Sequence, residues 1–136
     1  MYRYDIHGKA VLKTLNKFYM ADLGITQIKN HNYEMNRTMA IENVVFNELL
    51  TRGYDVYVGK TSKGEVDFIA NKDGVVNYIQ VAYLLADDKV LKREFGAFDA
   101  INDNYPKYVI TLDQVNFSQE GIIHKNMIDF LMSKEI

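Results

Sequence analysis

Apolar residues recur at helical spacing in two stretches of the chain. In residues 38–52 the apolar positions between Met39 and Leu50 recur near helical spacing, which predicts an amphipathic helix. A second helix is predicted from Asp87-Asp88, which offers an N-cap, to about Asn102. The first helix is followed directly by Gly53, a common residue just after a last helical turn.

The segments between and after these helices have the pattern of β-strands. Those with the clearest pattern are Tyr54–Val58, Val66–Ala70, Val75–Leu84 and Tyr108–Leu112. Val75–Leu84 is almost continuously apolar and is therefore predicted to be central in a sheet. From residue 38 the predicted order is α-β-β-β-α-β, with a short fifth strand (121–124) and a small helix (126–132) at the end. This is an α/β fold with a mixed central sheet flanked by helices.

The first 37 residues have a weaker pattern. Residues 9–17 are predicted to form a short helix, 18–20 an extended segment and 22–24 a turn. We therefore divide the chain into an N-terminal extension, 1–37, and a core domain, 38–136. The extension is expected to pack on the core or to lead into it.

Composition narrows the classes of protein. With 136 residues, 48% hydrophobic and 25% charged, the chain has the size and balance of one globular domain. The absence of cysteine excludes disulfides, thiolate catalysis and cysteine-based zinc sites. No apolar run approaches the roughly 20 residues of a membrane span. We expect a cytoplasmic protein without a membrane partner.

The charge of the chain is uneven. The net charge of −2 argues against strong autonomous binding to a polyanion. Residues 1–30, however, carry five Lys or Arg and only two Asp. That segment is either an ordinary solvated basic face or a surface that meets phosphate or an acidic partner.

Three polar residues interrupt the apolar patterns of the predicted core. Glu42 lies on the apolar stripe of the first helix, Asp67 lies in the second strand, and Gln80 lies in the third. A buried carboxylate without a partner costs several kcal/mol, so Glu42 and Asp67 need a cation, a basic side chain or backbone donors if they are buried. Each residue alone is compatible with an ordinary exposed position.

The joint order of these residues resembles the PD-(D/E)XK nuclease superfamily, which has the restriction-endonuclease-like fold. That resemblance implies a catalytic site of Glu42, Asp67 and Gln80, with Asp67 and Glu42 holding Mg²⁺ or Mn²⁺. Carboxylate and amide oxygens are the ligands that such hard cations prefer. Gln80 and residue 82 point to the same face of their strand, as the family's Glu/Gln-x-Lys pair requires.

The sequence departs from the family at residue 82. Ala82 stands where the family has its lysine, which orients or activates the attacking water. Alanine can do neither. A relocated lysine would have to replace it, and Lys60, Lys63 and Lys92 are the candidates.

A closer resemblance covers most of residues 2–112. The chain is similar to the C-terminal domain of unknown function that follows the ATPase module in a family of prokaryotic AAA-superfamily ATP-binding proteins. The stretches that carry the resemblance are 4–9, 17–24, 42–49, 52–59, 65–68, 80–83, 93–96 and 103–108. It implies an ATPase module as a partner in the full-length protein. No nucleotide site is expected in this chain, because Gly59-Lys60-Thr61 has the wrong glycine spacing for a phosphate-binding loop and no helix after it.

Three functions follow as expectations. The first is an accessory C-terminal module of an AAA-type ATPase with a degenerate nuclease-like site, acting in nucleic-acid or protein binding. The second is an active Mg²⁺- or Mn²⁺-dependent nuclease with a relocated lysine. The third is a structural or homo-oligomerising module. A lysine ammonium within about 4 Å of Asp67 and Gln80 would favour cleavage, whereas a basic side chain that fills the pocket would favour the third.

Overall fold

The computed structural model describes residues 1–12, 17–19 and 33–136, and for residues 33–36 it describes the backbone alone. The strands in this part of the chain are β1 (Arg3–Asp5), β2 (Ala10–Leu12), β3 (Asp55–Lys60), β4 (Glu65–Lys72), β5 (Val75–Val81), β6 (Lys107–Thr111) and β7 (Ile122–Asn126). The helices are α1 (Tyr33–Thr51), α2 (Asp88–Gly96) and α3 (Met127–Met132).

The strands form one seven-stranded mixed sheet in the order β2-β1-β3-β4-β5-β6-β7. Strands β3, β4 and β5 are antiparallel neighbours, and β5, β6 and β7 are parallel. Asp73 and Gly74 both have positive φ angles (53° and 82°) between the paired residues Lys72 and Val75. That backbone suits a two-residue hairpin turn, for which Asp-Gly is a favoured sequence. The predicted α/β class and the order α-β-β-β-α-β are confirmed.

Helices cover both faces of the sheet. On one face, α1 and α3 pack on the strands through a cluster that includes Val45, Leu49, Phe68, Ile79 and Phe130. On the other, α2 and the segment after it pack through Phe95, Phe98 and Ile101 against Val66 and Val109. The third predicted strand, β5, lies between β4 and β6, which agrees with its continuous apolar run.

The N-terminal helix predicted over residues 9–17 was wrong in the part that the structure describes. Ala10–Leu12 is a strand that pairs with β1, and β1 pairs in parallel with β3. Pairing with the sheet overrides a helical spacing that rested on few apolar positions. The rest of the predicted helix, residues 13–16, and the predicted turn at 22–24 lie outside the described residues. The boundary after residue 37 falls inside α1, and β1 and β2 belong to the same sheet as the core strands.

Several element ends differ from the prediction, among them the start of α1, which lies at Tyr33, five residues before the predicted start at residue 38. The helix α2 ends at Gly96, and residues 97–100 continue as turns that still bury Phe98. The strand β5 ends at Val81, three residues earlier than predicted. In the described part of the chain, no helix has the length and apolar character of a membrane span.

Candidate functional site

Strand β4 is irregular at Asp67. Tyr57 pairs with Ile69, but Gly59 pairs with Val66, so the two residues Asp67 and Phe68 lie opposite Val58 alone. This is a β-bulge, which bends a strand and re-aims a side chain. Phe68 remains fully buried in the core, while Asp67 turns towards the end of β5.

Two side chains take over the hydrogen bonding where β4 and β5 separate. The regular ladder ends at the pair Phe68 and Ile79. Beyond it, the backbone N–H of Val81 donates to Asp67 Oδ2 over 2.9 Å, and the backbone N–H of Asp67 donates to Gln80 Oε1 over 3.2 Å. Asp67 and Gln80 therefore lie side by side and satisfy backbone groups that the sheet leaves unpaired.

The third predicted residue, Glu42, reaches the same place from α1. Lys17 Nζ lies 3.2 Å from Glu42 Oε2 and 3.6 Å from Asp67 Oδ1. Tyr19 donates its hydroxyl to the same Glu42 oxygen over 3.2 Å. The structure thus brings Glu42, Asp67 and Gln80 together and joins the two carboxylates through one lysine of the extension.

The lysine that lies beside these carboxylates, Lys17, is not one of the three named from the sequence. Lys63 lines the same cleft, but Lys60 and Lys92 are not among the residues that line it. Lys17 was missed because no spacing in the sequence places a residue of the extension beside β4. Its only sequence signal was its position in the basic N-terminal segment. Ala82, where the family has lysine, is buried just beyond β5.

A buried carboxylate on α2 was also missed. Glu94 is 5% exposed, and its Oε2 accepts a hydrogen bond from Gln80 Nε2 over 3.0 Å. Its Oε1 is held by Arg93, at 2.8 Å from Nε and 2.6 Å from the second guanidinium nitrogen. A signal was present, since Glu94 lies on the apolar stripe of the helix, four residues after Val90 and four before Phe98.

These groups line an open cleft of about 400 Å³. Glu42, Asp67, Gln80 and Glu94 form part of its wall, and Lys63 and Arg93 also line it. The Arg93 side chain is 71% exposed, in contrast to Glu94. The cleft therefore has three acidic residues with low exposure, Glu42, Asp67 and Glu94, beside an exposed Glu65 and exposed basic side chains.

Burial and the neighbouring carboxylates change how the site ionises. Burial, and then the charge of Glu42, raise the pKa of Asp67 to about 7 against the opposing effects of the Val81 N–H and Lys17. Burial lowers the pKa of Lys17, but the charges of Asp67 and Glu42 outweigh that effect and the pKa is raised overall. Lys17 is therefore a cation at neutral pH, while Asp67 exchanges its proton near neutrality.

The residues present fit a divalent cation in their chemistry. Mg²⁺ commonly takes one or two protein carboxylates and keeps several waters. Glu42 and Asp67 supply two carboxylates that share a single ammonium, and a further negative charge at Glu94 raises the pKa of Asp67. Among the described residues, no three His, Asp or Glu side chains are close enough together to hold one metal ion. A bound cation would thus depend on two carboxylates, water and substrate oxygens.

Comparison with known proteins gives one relative and no function. No family model matches the chain, and no solved structure matches it. The chain is similar to an uncharacterized protein of Haemophilus influenzae, with 40% identity over 109 residues. The match covers 80% of this chain and 26% of the relative, so the chain spans about a quarter of the length of the curated relative it matches.

Proposed function

We propose that the cleft is a divalent-cation-dependent phosphodiester site in which Lys17 replaces the lysine missing at Ala82. The observation that carries the proposal is the position of the Lys17 ammonium, 3.6 Å from Asp67 Oδ1 and 3.2 Å from Glu42 Oε2. A lysine beside a cation-binding carboxylate is the arrangement that phosphodiester hydrolysis in the PD-(D/E)XK superfamily requires. The reaction proposed is metal-dependent cleavage of a nucleic acid.

Each residue has a role in this proposal. Asp67 and Glu42 would hold Mg²⁺ or Mn²⁺, and Gln80 would present its amide oxygen beside them. When bound, such an ion supplies acidification of a water and neutralisation of charge on the scissile phosphate. Lys17 donates hydrogen bonds to a phosphate oxygen or to the attacking water, and its raised pKa keeps it charged for that purpose.

A cation is needed for substrate binding as well as for chemistry. The residues that line the cleft include Glu42, Glu65, Asp67 and Glu94, against Lys63 and Arg93, with Lys17 bridging two of the carboxylates. Without a divalent ion this surface repels a phosphate backbone. We therefore expect nucleic-acid binding to require Mg²⁺ or Mn²⁺.

A function without cleavage is the second candidate, and the same lysine favours it. Lys17 already partners both carboxylates, and Arg93 already partners Glu94, so the pocket is satisfied internally. In that case the domain is a structural or homo-oligomerising module, or it is the degenerate, accessory module of an AAA-type ATPase that acts by contact with nucleic acid or protein. The greater length of the Haemophilus relative leaves room for such an ATPase module. This second candidate includes a cytoplasmic location of the protein and association of the chain with copies of itself.

The first experiment is a calorimetric titration of Mn²⁺ into the wild-type chain and into Asp67→Ala. We expect saturable binding to the wild type that Asp67→Ala loses, followed by cleavage of one or more DNA or RNA substrates in Mn²⁺. Binding without cleavage on every substrate class would favour the second candidate. No saturable heat with the wild type, in a chain shown to be folded by circular dichroism, would overturn the metal-dependent proposal.

A further inference from the structure

The Gln80–Glu94 pair fixes the orientation of the Gln80 amide. Glu94 Oε2 can only accept a hydrogen bond, so it must face Gln80 Nε2, 3.0 Å away. The backbone N–H of Asp67 can only donate, so it must face Gln80 Oε1, 3.2 Å away. Both neighbours demand the same orientation, and the carbonyl oxygen of Gln80 is held on the Asp67 side.

The same contact accounts for a glutamine at this strand position. A glutamate at residue 80 would place its carboxylate about 3 Å from that of Glu94, which is itself only 5% exposed. Two like charges at that distance with little solvent strongly disfavour joint ionisation. The pair therefore needs one carboxylate and one amide. The chain has the carboxylate at residue 94 and the amide at residue 80, and the reverse arrangement would satisfy the same condition.

We infer that Glu94 is a positioning residue of the proposed site, which supplies from α2 the negative charge that Gln80 lacks and holds the Gln80 oxygen beside Asp67. This inference rests on the proposed function. It means that two groups absent at the end of β5 and just beyond it, a carboxylate at residue 80 and a lysine at residue 82, are both replaced from other elements. Glu94 replaces the first and Lys17 the second.

Arg93 has a supporting part in this arrangement. Its guanidinium binds Glu94 Oε1 with two nitrogens, at 2.6 and 2.8 Å, from the more exposed side of the cleft. The carboxylate of Glu94 is then held between Arg93 and Gln80 and cannot turn away from the amide. Groups that orient a ligand in this manner commonly contribute about 10- to 100-fold in metal affinity.

The test is an exchange of the two side chains, read by Mn²⁺ calorimetry on the full chain. Glu94→Gln removes the charge and lets the Gln80 amide turn, so we expect Mn²⁺ affinity to fall at least about tenfold. The double variant Gln80→Glu/Glu94→Gln restores one carboxylate and one amide in reversed places. We expect it to regain most of the Mn²⁺ affinity that Glu94→Gln loses, because one carboxylate and one amide again face each other.

A matched control is available on α1. Glu48 forms a comparable pair with Arg52, 2.7 Å from carboxylate to Nε, and it does not line the cleft. Glu48→Gln should lower the melting temperature without changing Mn²⁺ affinity.

Gln80→Glu alone should melt at a lower temperature in chelator than the wild type. Its melting temperature should recover when Mn²⁺ is added, because the ion relieves the repulsion between the carboxylates of residues 80 and 94.

The outcomes separate this inference from the proposed function. Glu94→Gln that binds Mn²⁺ as tightly as the wild type would overturn the role of Glu94 and leave the proposed function standing. Loss of affinity in Glu94→Gln that the double variant does not restore would also overturn the exchange. Absence of Mn²⁺ binding by the folded wild type would overturn both.

Discussion

The ammonium of Lys17 lies 3.6 Å from Asp67 Oδ1, although one residue belongs to the N-terminal extension and the other to the bulge of β4. The side chain of Lys17 is 34% exposed and that of Asp67 is 14% exposed. The contact is thus sheltered enough to matter electrostatically but still open to a ligand. It places a residue of the extension at the site, beside a strand of the core.

Removal of the Lys17 charge should separate cation binding from catalysis. Lys17→Met keeps most of the side-chain length but leaves Glu42 and Asp67 without their shared cation. We expect Mn²⁺ to bind at least as tightly as before, since the ammonium no longer competes for these carboxylates, while phosphodiester cleavage is lost. The free energy of unfolding in chelator should fall by about 1 kcal/mol, a value discounted for solvent screening. Lys17→Arg is the control that keeps the charge, and cleavage by Lys17→Met at the wild-type rate would contradict the role of Lys17.

The ionisation of Asp67 should make the chain without metal less stable as the pH rises. Its pKa is raised from 3.8 to about 7 in the folded state, mainly by burial and by Glu42. Between pH values of about 4 and 7 the folded chain keeps a proton on Asp67 that the unfolded chain has released. The free energy of unfolding therefore falls as the pH rises from about 4 through 7. Asp67→Asn removes this titration, so at pH 8 in chelator it should exceed the wild type by at least about 1.4 kcal/mol, the value of one pKa unit.

Urea unfolding at pH 5 and pH 8 measures this effect. The advantage of Asp67→Asn should shrink at pH 5, where Asp67 of the wild type is protonated. Parallel pH profiles for the two proteins would contradict the raised pKa of Asp67. The same variant should lose Mn²⁺ binding, which links the stability effect to the proposed site.

His124 should destabilise the fold in mild acid. Its Nδ1 accepts the backbone N–H of Phe117 over 3.2 Å, so the neutral ring carries its proton on Nε2, 2.8 Å from Thr111 Oγ1. Burial lowers the pKa of His124, and the charge of Asp113 only partly opposes this. A lowered pKa means that stability is complete above the unfolded value of 6.5 and is lost as the pH falls below it.

A comparison of the wild type with His124→Gln tests the contribution of the ring. Both proteins should carry Asp67→Asn, because the ionisation of Asp67 changes stability with pH in the opposite direction. In that background we expect the protein with His124 to lose more stability between pH 7 and pH 5 than the His124→Gln variant does. Thermal unfolding at both pH values is the measurement. Equal losses in the two proteins would exclude His124 as the titrating group.

Arg52 should stabilise the fold without affecting the site. Its guanidinium donates to the backbone oxygen of Phe130 over 2.6 Å and to that of Glu135 over 3.2 Å, and it lies 4.4 Å from the centre of the Phe130 ring. Arg52→Lys cannot keep all these contacts. We expect a loss of about 1.5–3 kcal/mol in urea unfolding, the range for hydrogen bonds to charged groups. Mn²⁺ affinity should stay unchanged, and a change there would mean that the end of α1 is coupled to the cleft.

The local pattern of the sequence determined most of the architecture. The apolar stripe of α1, the Asp73-Gly74 turn and the continuous apolar run of β5 each depend on residues close together in the chain. They were enough to predict the order α-β-β-β-α-β and to select Glu42, Asp67 and Gln80 as polar interruptions. The short helix predicted over 9–17 failed at Ala10–Leu12, where strand pairing outweighs a weak local preference.

The residues that complete the site come together through the tertiary structure. Lys17 reaches Asp67 from the extension, and Glu94 reaches Gln80 from the helix on the opposite face of the sheet from α1. The bulge that re-aims Asp67 is a property of the pairing between β3 and β4 and leaves no local signature. Apolar periodicity reports which face of an element is buried, but the partner of a buried charge is set by distances between elements far apart in the chain. For that reason the sheet and its polar positions were predictable from the sequence, while the charge balance of the cleft depends on the fold.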